Sequence, residues 1–176
     1  NYMAAGRDLV DDIKPETSVM LREALDESAK EALRAGQIVR RLRDFVSKGE
    51  IDTQILPLAK LINDATTLGL VGAREKGVAW SREIEAGIDS VLADRVQIQQ
   101  VMVNLMRNAI EAMEYAPIKQ LAICARPSGP EQVEISVADT GHGVPDDLIG
   151  QLFQPFISTK AQGMGLGLSI CRTIIE

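Results

Sequence analysis

Aromatic side chains are nearly missing from this sequence: three Phe, two Tyr and one Trp make up 3% of it. A core must then be filled by Leu, Ile, Val, Ala and Met. A hydrophobic fraction of 45% in 176 residues suffices for one ordinary domain, or for a small domain with a helical module. Cysteine is equally scarce. Cys124 and Cys171 stand far apart, without Cys-x-x-Cys or Cys/His spacing, which argues against a zinc site or a disulfide framework and for a reducing compartment. No apolar run approaches the ~20 residues that span a bilayer, and no signal peptide is visible. The segment is therefore expected to be soluble and cytoplasmic, without membrane contact. Positive charge is not in excess either. With 19 Lys and Arg against 25 Asp and Glu the net charge is −6, which argues against nucleic-acid binding through a broad basic surface, though not against a local cationic pocket for a small anion. Both ends read as helix ("NYMAAGRDLV", "SICRTIIE"), as expected of a piece of a longer protein.

Residues 1–13 read as the tail of a helix that stops near "IKPET", with Pro15 in the turn and Thr17 or Ser18 as N-cap of the next helix. That helix is expected to run to about Lys48. Its apolar and small residues Leu21, Leu25, Ser28, Ala32, Ala35, Val39, Leu42 and Val46 alternate steps of four and three, a heptad seam. Two such helices make an antiparallel hairpin, whose other apolar positions (Ala24, Leu33, Ile38, Phe45) need covering. Dimerisation into a four-helix bundle does this; packing on the chain's own second domain is the alternative. "SKGEIDTQ" breaks the pattern and reads as a linker. Beyond it, "LPLAKLINDATTLGLVGAREKG" reads as a helix ending near Gly77, "VAWSREIE" and "DSVLAD" as short strands, and "RVQIQQVMVNLMRNAIEAM" as a helix. "KQLAICARP" and "EQVEISVAD" read as strands joined by a turn at Pro127–Pro130; a short helix near 145–152 and a final helix follow. Strands interleaved with helices predict an α+β chain whose second part is a two-layer α/β sandwich with a mixed sheet.

Within "QQVMVNLMRNAIEAM", asparagines 104 and 108 interrupt an oily stretch, although asparagine is an indifferent helix former and costly to bury without partners. At about 100° per residue, Gln97, Gln100, Asn104, Arg107, Asn108 and Glu111 gather on one narrow stripe; the remainder of the wheel is apolar, as in a helix buried on most sides. The stripe is amide-rich rather than Lys- and Glu-rich. Amides offer a neutral oxygen to a hard cation and an NH₂ to phosphate, so a ligand site and a stripe bonded to a neighbouring loop are both open readings.

Two glycine loops follow. In "VADTGHGVP", Asp139 ends a strand, and Gly141 and Gly143 bracket a tight turn where the backbone can approach a ligand; the carboxylate could accept from an exocyclic amine such as adenine's. Asp-x-Gly is also an ordinary turn. His142, the only histidine, has no Ser, Cys or carboxylate constellation around it and reads as a loop residue rather than a nucleophile or phosphoacceptor. In "KAQGMGLGLSI", Gly163, Gly165 and Gly167 alternate before a helix begins, an arrangement of free N–H groups that favours phosphate. It is neither a Walker A loop nor a dinucleotide fingerprint. Between the loops, "LFQPFISTK" offers Phe153 and Phe156 as a structural plug pinning one end of a lid, then Ser158, Thr159 and Lys160, able to meet a terminal phosphate.

Taken in order, these stretches resemble the four boxes of sensor histidine kinases, members of the wider GHKL (Bergerat-fold) family that also holds Hsp90, MutL and type II topoisomerase ATPase domains. "NLMRNAIEAM" looks like the N box, "DTGHGV" the G1 box, "LFQPF" the F box and "GMGLGL" the G2 box, and "RAGQIVRRLRDFVSKGE" resembles FixL-type kinases. The resemblance implies a dimerisation and histidine-phosphotransfer hairpin at 1–48, a linker at 49–54 and an ATP-binding catalytic domain at 55–176, with further strands beyond the final helix. It implies ATP with Mg²⁺, Asn108 as the metal ligand, Asn104 beside the triphosphate and Glu111 on the same nucleotide-binding stripe. Asp139 would accept from the adenine amine, Gly141 and Gly143 would shape its pocket, and Thr159, Lys160, Gly163, Gly165, Leu166, Gly167 and Leu168 would form the lid. Asn104 also stands where ATP-hydrolysing relatives carry a glutamate base, and an amide cannot activate water. The implied activity moves the γ-phosphoryl of ATP to a histidine and onward to an aspartate of a response-regulator receiver domain. The family's phosphoacceptor sits in an H box upstream of residue 1, so this segment is expected to bind ATP without phosphorylating itself. The rival expectations are a non-enzymatic dimeric scaffold or phosphotransfer protein with a vestigial ATP-binding fold, and a conformational ATPase, which would want an acidic base at position 104.

Overall fold

The computed structural model describes residues 15–46, 52–158 and 165–176. The chain divides into two compact units, Asn1–Gly49 and Glu50–Glu176. The described part of the first unit is a single helix, α1 (Pro15–Val46). Proline opens this helix instead of preceding it, because a fixed φ and a missing N–H cost nothing in a first turn. Thr17 and Ser18 therefore lie inside α1, not at its cap. Val19, Met20, Leu21 and Leu33 are exposed along it. Ser28 Oγ donates to Ala24 O (2.7 Å), and Lys30 pairs with Glu27 at 3.0 Å across one turn. The expected helical tail at 1–13, which would complete the hairpin, and the helix end at Lys48 lie outside the described residues.

The second unit begins with a strand that sequence reading missed. β1 (Thr53–Pro57) pairs antiparallel with β3 (Ser90–Asp94), Thr53 opposite Asp94 and Pro57 opposite Ser90. Only Leu56 of β1 is even half-buried, so no alternating pattern marks it. Cross-strand partners such as Leu92 opposite Ile55 create it, where the sequence reads as linker through Gln54 and as helix from Leu56. Between these strands, α2 (Leu58–Gly69) buries Leu58, Leu61, Ile62, Ala65 and Thr66, the apolar stripe of an amphipathic helix. It ends eight residues short of Gly77. Gly72 adopts φ +76°, outside right-handed helix geometry, and turns (Ala73 N–H to Leu70 O, Gly77 N–H to Arg74 O) carry the chain onward.

β2 (Ala79–Ile84) lies parallel to β4 (Gln120–Pro127), and β4 lies antiparallel to β5 (Val133–Asp139), giving a mixed three-stranded sheet in the order β2-β4-β5. The crossover from β2 to β4 contains β3 and α3 (Arg95–Ala112). Asp94 caps α3, its Oδ1 accepting from the N–H groups of Val96 (2.9 Å) and Gln97 (3.1 Å). On β4, Leu121, Ile123 and Ala125 point into the core while Ala122 and Cys124 are half-buried on the other face. Leu58, Ile62, Met106, Met113, Leu121 and Ile123 are its largest fully buried side chains, joining α2, α3 and β4 in one aliphatic and methionine core. A short helix, α4 (Asp146–Ile149), and α5 (Gly167–Ile175), packed against α3, complete the described unit.

Candidate functional site

α3 sets the geometry. Val101, Met102, Met106, Ala109 and Ile110 hold one side of it in the core. This leaves Asn104 and Asn108 half-buried, and Arg107 and Glu111 exposed, on the opposite stripe. The helix is less enclosed than its apolar wheel predicts, since Val96 keeps 71% of its surface in water.

The first glycine loop closes against the C-terminal end of α3. Asp139, exposed at the end of β5, accepts the Gly141 N–H through Oδ1 at 2.8 Å. A Cβ on Gly141 would stand 2.8 Å from the Ala112 carbonyl carbon and 2.7 Å from Asp139 Oδ1, so glycine alone fits. The His142 N–H reaches Ala112 O at 3.4 Å, and Gly143, at φ +70°, completes the turn. Thr140 fastens the loop to the sheet: its hydroxyl donates to Ile118 O (2.6 Å) and accepts from the Gln120 N–H (3.0 Å).

The second loop meets α3 two turns earlier. Leu166 is buried and stands at the N-cap of α5, where its side chain supplies no cap hydrogen bond to the first-turn N–H groups. A Cβ on Gly167 would lie 2.5 Å from Asn104 Oδ1 and 3.0 Å from its Cγ; the asparagine amide rests on that glycine. Leu168 is half-buried beside it. Gly165, at φ +64°, accepts the Phe156 N–H at 3.1 Å, and a Cβ there would collide with the Ile157 backbone.

Both glycine loops thus touch one helix, at residues 104 and 112, about 12 Å apart along its axis at ~1.5 Å of rise per residue. Asn108 falls between them on the same stripe. Glu111 and Arg107 line a hollow of about 280 Å³ with Gly69, Val71, Lys76 and Ile110, toward the turns after α2. Thr159, Lys160 and Gly163 lie outside the described residues. Phe153 and Phe156 are not the plug expected of them: they are 47% and 70% exposed, and Phe156 sits at φ +68°. The Arg172 guanidinium stands 6.0 Å from the Phe153 ring centre.

Sequence reading gave no part to Cys171. It is buried on α5, and its Sγ accepts from Asn104 Nδ2 at 3.2 Å. Burial pushes its thiol above the ordinary range, against the pull of the Asn104 hydrogen bond. The signal was present in the spacing: Gly167 and Cys171 are four residues apart, hence on one face of their helix. Among the described residues no cluster of three His, Cys, Asp or Glu could hold a metal by itself, and no helix is long and apolar enough to cross a membrane.

The family described as "Histidine kinase-, DNA gyrase B-, and HSP90-like ATPase" matches residues 93–176, from the end of β3 through α5. The sensor protein FixL of Bradyrhizobium diazoefficiens is 50% identical over 176 residues, covering 100% of this chain and 35% of its own length. The chain thus spans about a third of that relative. Among solved structures, the nucleotide-free catalytic domain of histidine kinase ThkA is 35% identical with a TM-score of 0.62, over 70% of this chain and 80% of that one. ThkA in complex with the response regulator protein TrrA matches at 28% identity and TM-score 0.71, over 99% of this chain and 49% of that one. With a mixed α/β domain of the GHKL type, two glycine loops set on an asparagine-bearing helix and these likenesses, the chain belongs to the histidine kinase-, DNA gyrase B- and HSP90-like ATPase family, in its sensor histidine kinase branch.

Proposed function

We propose that this chain is the ATP-binding kinase core of a two-component sensor histidine kinase. One observation carries the proposal: the two glycine loops converge on α3 at Asn104 and Ala112, bracketing Asn108. Adenine would lie at the Asp139–Gly143 loop, where Asp139 accepts from the exocyclic amine and Gly141 and Gly143 leave room for the ring. The triphosphate would run along the asparagine stripe toward the N-terminus of α5, whose uncapped N–H groups and dipole attract anions. Thr159, Lys160, Gly163, Gly165, Leu166, Gly167 and Leu168 would cover it as a lid, and Glu111 would border the site.

The residues suit Mg²⁺. Two amide oxygens one turn apart, with no acidic cluster beside them among the described residues, make a weak all-protein site but a good partial one, because Mg²⁺ takes few protein ligands and completes its shell with water and phosphate. Asn108 would ligate the ion, with Asn104 beside the phosphates. Bound there, Mg²⁺ would neutralise charge on the phosphoryl oxygens. The chain's own part is to orient the phosphates, exclude water and supply no base at position 104, so that ATP is kept for a protein acceptor. The γ-phosphoryl group would leave ADP and bond to a histidine nitrogen outside residues 1–176, since His142 belongs to the adenine loop. It would then pass to a response-regulator receiver aspartate; the complex of the relative ThkA with TrrA supports that partner. The hairpin at 1–48 would dimerise into a four-helix bundle, as the exposed apolar residues of α1 favour, with 49–54 as linker and 55–176 as the catalytic domain. ATP use goes with a cytoplasmic location.

Calorimetric titration with a non-hydrolysable ATP analogue, in Mg²⁺ and then in EDTA, tests this reading. Binding strengthened by Mg²⁺ is the expected result. No heat in either condition, from folded protein, would replace the kinase with a dimeric scaffold bearing a vestigial pocket.

A further inference from the structure

Cys171 plays no part in the chemistry proposed above, yet it grips a residue that does. Its Sγ takes a hydrogen from Asn104 Nδ2 at 3.2 Å, and the thiol in turn faces Val101 O at 3.9 Å. Gly167, one turn earlier on the same face of α5, leaves the space in which the amide lies. Asn104 Oδ1 lies against Gly167 and accepts no hydrogen bond among the described residues, and because no buried side-chain oxygen there lacks a partner, this oxygen is not sealed from solvent. Turning the amide over would set Oδ1 against the sulfur lone pairs and would require the thiol to abandon Val101.

We infer that Cys171 is a positioning residue: by holding Nδ2 inward it presents Asn104 Oδ1 to the ligand, as an acceptor for the hydrogens of metal-bound water rather than a donor to phosphate oxygen. The inference rests on the nucleotide reading of the α3 stripe. It assigns a polarity to Asn104 that neither its residue type nor its position on the helix fixes, because an amide can point either way. Without the thiol, both orientations become accessible, and the benefit of Mg²⁺ to nucleotide binding falls.

Two variants separate the hydrogen bond from packing. Cys171→Val removes the acceptor while keeping the site filled with apolar atoms, whereas Cys171→Ser keeps an acceptor; Cys171→Ala replaces the valine variant if the extra methyl prevents folding. In nucleotide-free protein, solvent exchange of the Asn104 side-chain NH₂, identified by its loss in Asn104→Asp, is expected to speed up in Cys171→Val and stay slow in Cys171→Ser. With the ATP analogue, the ratio of affinity in Mg²⁺ to affinity in EDTA should drop about fivefold in Cys171→Val, the worth of one ordinary hydrogen bond, and recover in Cys171→Ser. Unchanged exchange in Cys171→Val, or equal losses in both variants, would overturn the inference. If the unaltered chain binds no nucleotide, the functional reading falls, and the exchange measurement still decides whether the thiol holds the amide.

Discussion

α1 and α3 are both long amphipathic helices, yet they treat their apolar residues in opposite ways. Along α1, Met20 and Leu33 keep 72% and 70% of their surface in water; along α3, Met102 and Met106 keep 2% and 0%. Met20 and Leu33 both lie off the heptad seam of α1, at apolar positions that a second helix covering that seam leaves over. The broader apolar arc of α3 is covered within its own unit, by α2, α5 and the sheet. A helix that completes its own core can hold a polar stripe in fixed register, and that is where the asparagines are. A helix with apolar residues left exposed is suited to joining chains.

The contrast can be broken most forcefully in the core. Met106→Ala is expected to lower the stability of the second unit by about 2–5 kcal/mol, read from chemical or thermal denaturation, because Gly69 and Met106 are fitted together there. Asn108→Ala should weaken nucleotide binding in Mg²⁺ by at least about tenfold, with little change in EDTA. Equal losses in both conditions would remove Asn108 from the metal. Leu33→Ala should change unfolding by no more than about 0.5 kcal/mol and yet weaken self-association in sedimentation; a loss of stability matching that of Met106→Ala would erase the distinction between the helices.

The smallest effect concerns pH. Burial raises the Cys171 pKa above its ordinary value of 9.0, so the unfolded chain gives up the proton first. The thiol's contribution is complete below about pH 9 and is lost as pH rises toward the folded value. Cys171→Ser should flatten this alkaline slope, and an unchanged slope would assign it to other groups.

Much of this organisation was legible in the sequence, because periodicity reports burial. The α3 pattern, the β4–β5 pair and the glycines before α5 all express local requirements. β1 was not legible: all its residues but Leu56 are exposed, and what makes them a strand is β3, far along the chain. The end of α2 was misjudged because the residues after Gly69 remain compatible with helix, and the positive φ of Gly72 decided otherwise. For the phenylalanines, residue type predicted burial and the turns after α4 left both exposed. The candidate site shows the same division. Asn104, Asp139 and the glycines announced themselves by composition, whereas Cys171 gained its place only when α5 was laid on α3.

The parallel register of the β2–β4 pair also bears on how the protein comes into being. Ala79 pairs with Gln120, and Ile84 with Ala125, so β2 has no neighbour in its sheet until a growing chain has been synthesised through β4. β1 waits in the same way for β3. Such non-local pairings slow folding and leave strand edges open in the meantime. The helix that carries the asparagines emerges from the ribosome inside this interval, after α2 but before β4 and α5, which complete the surface that holds it.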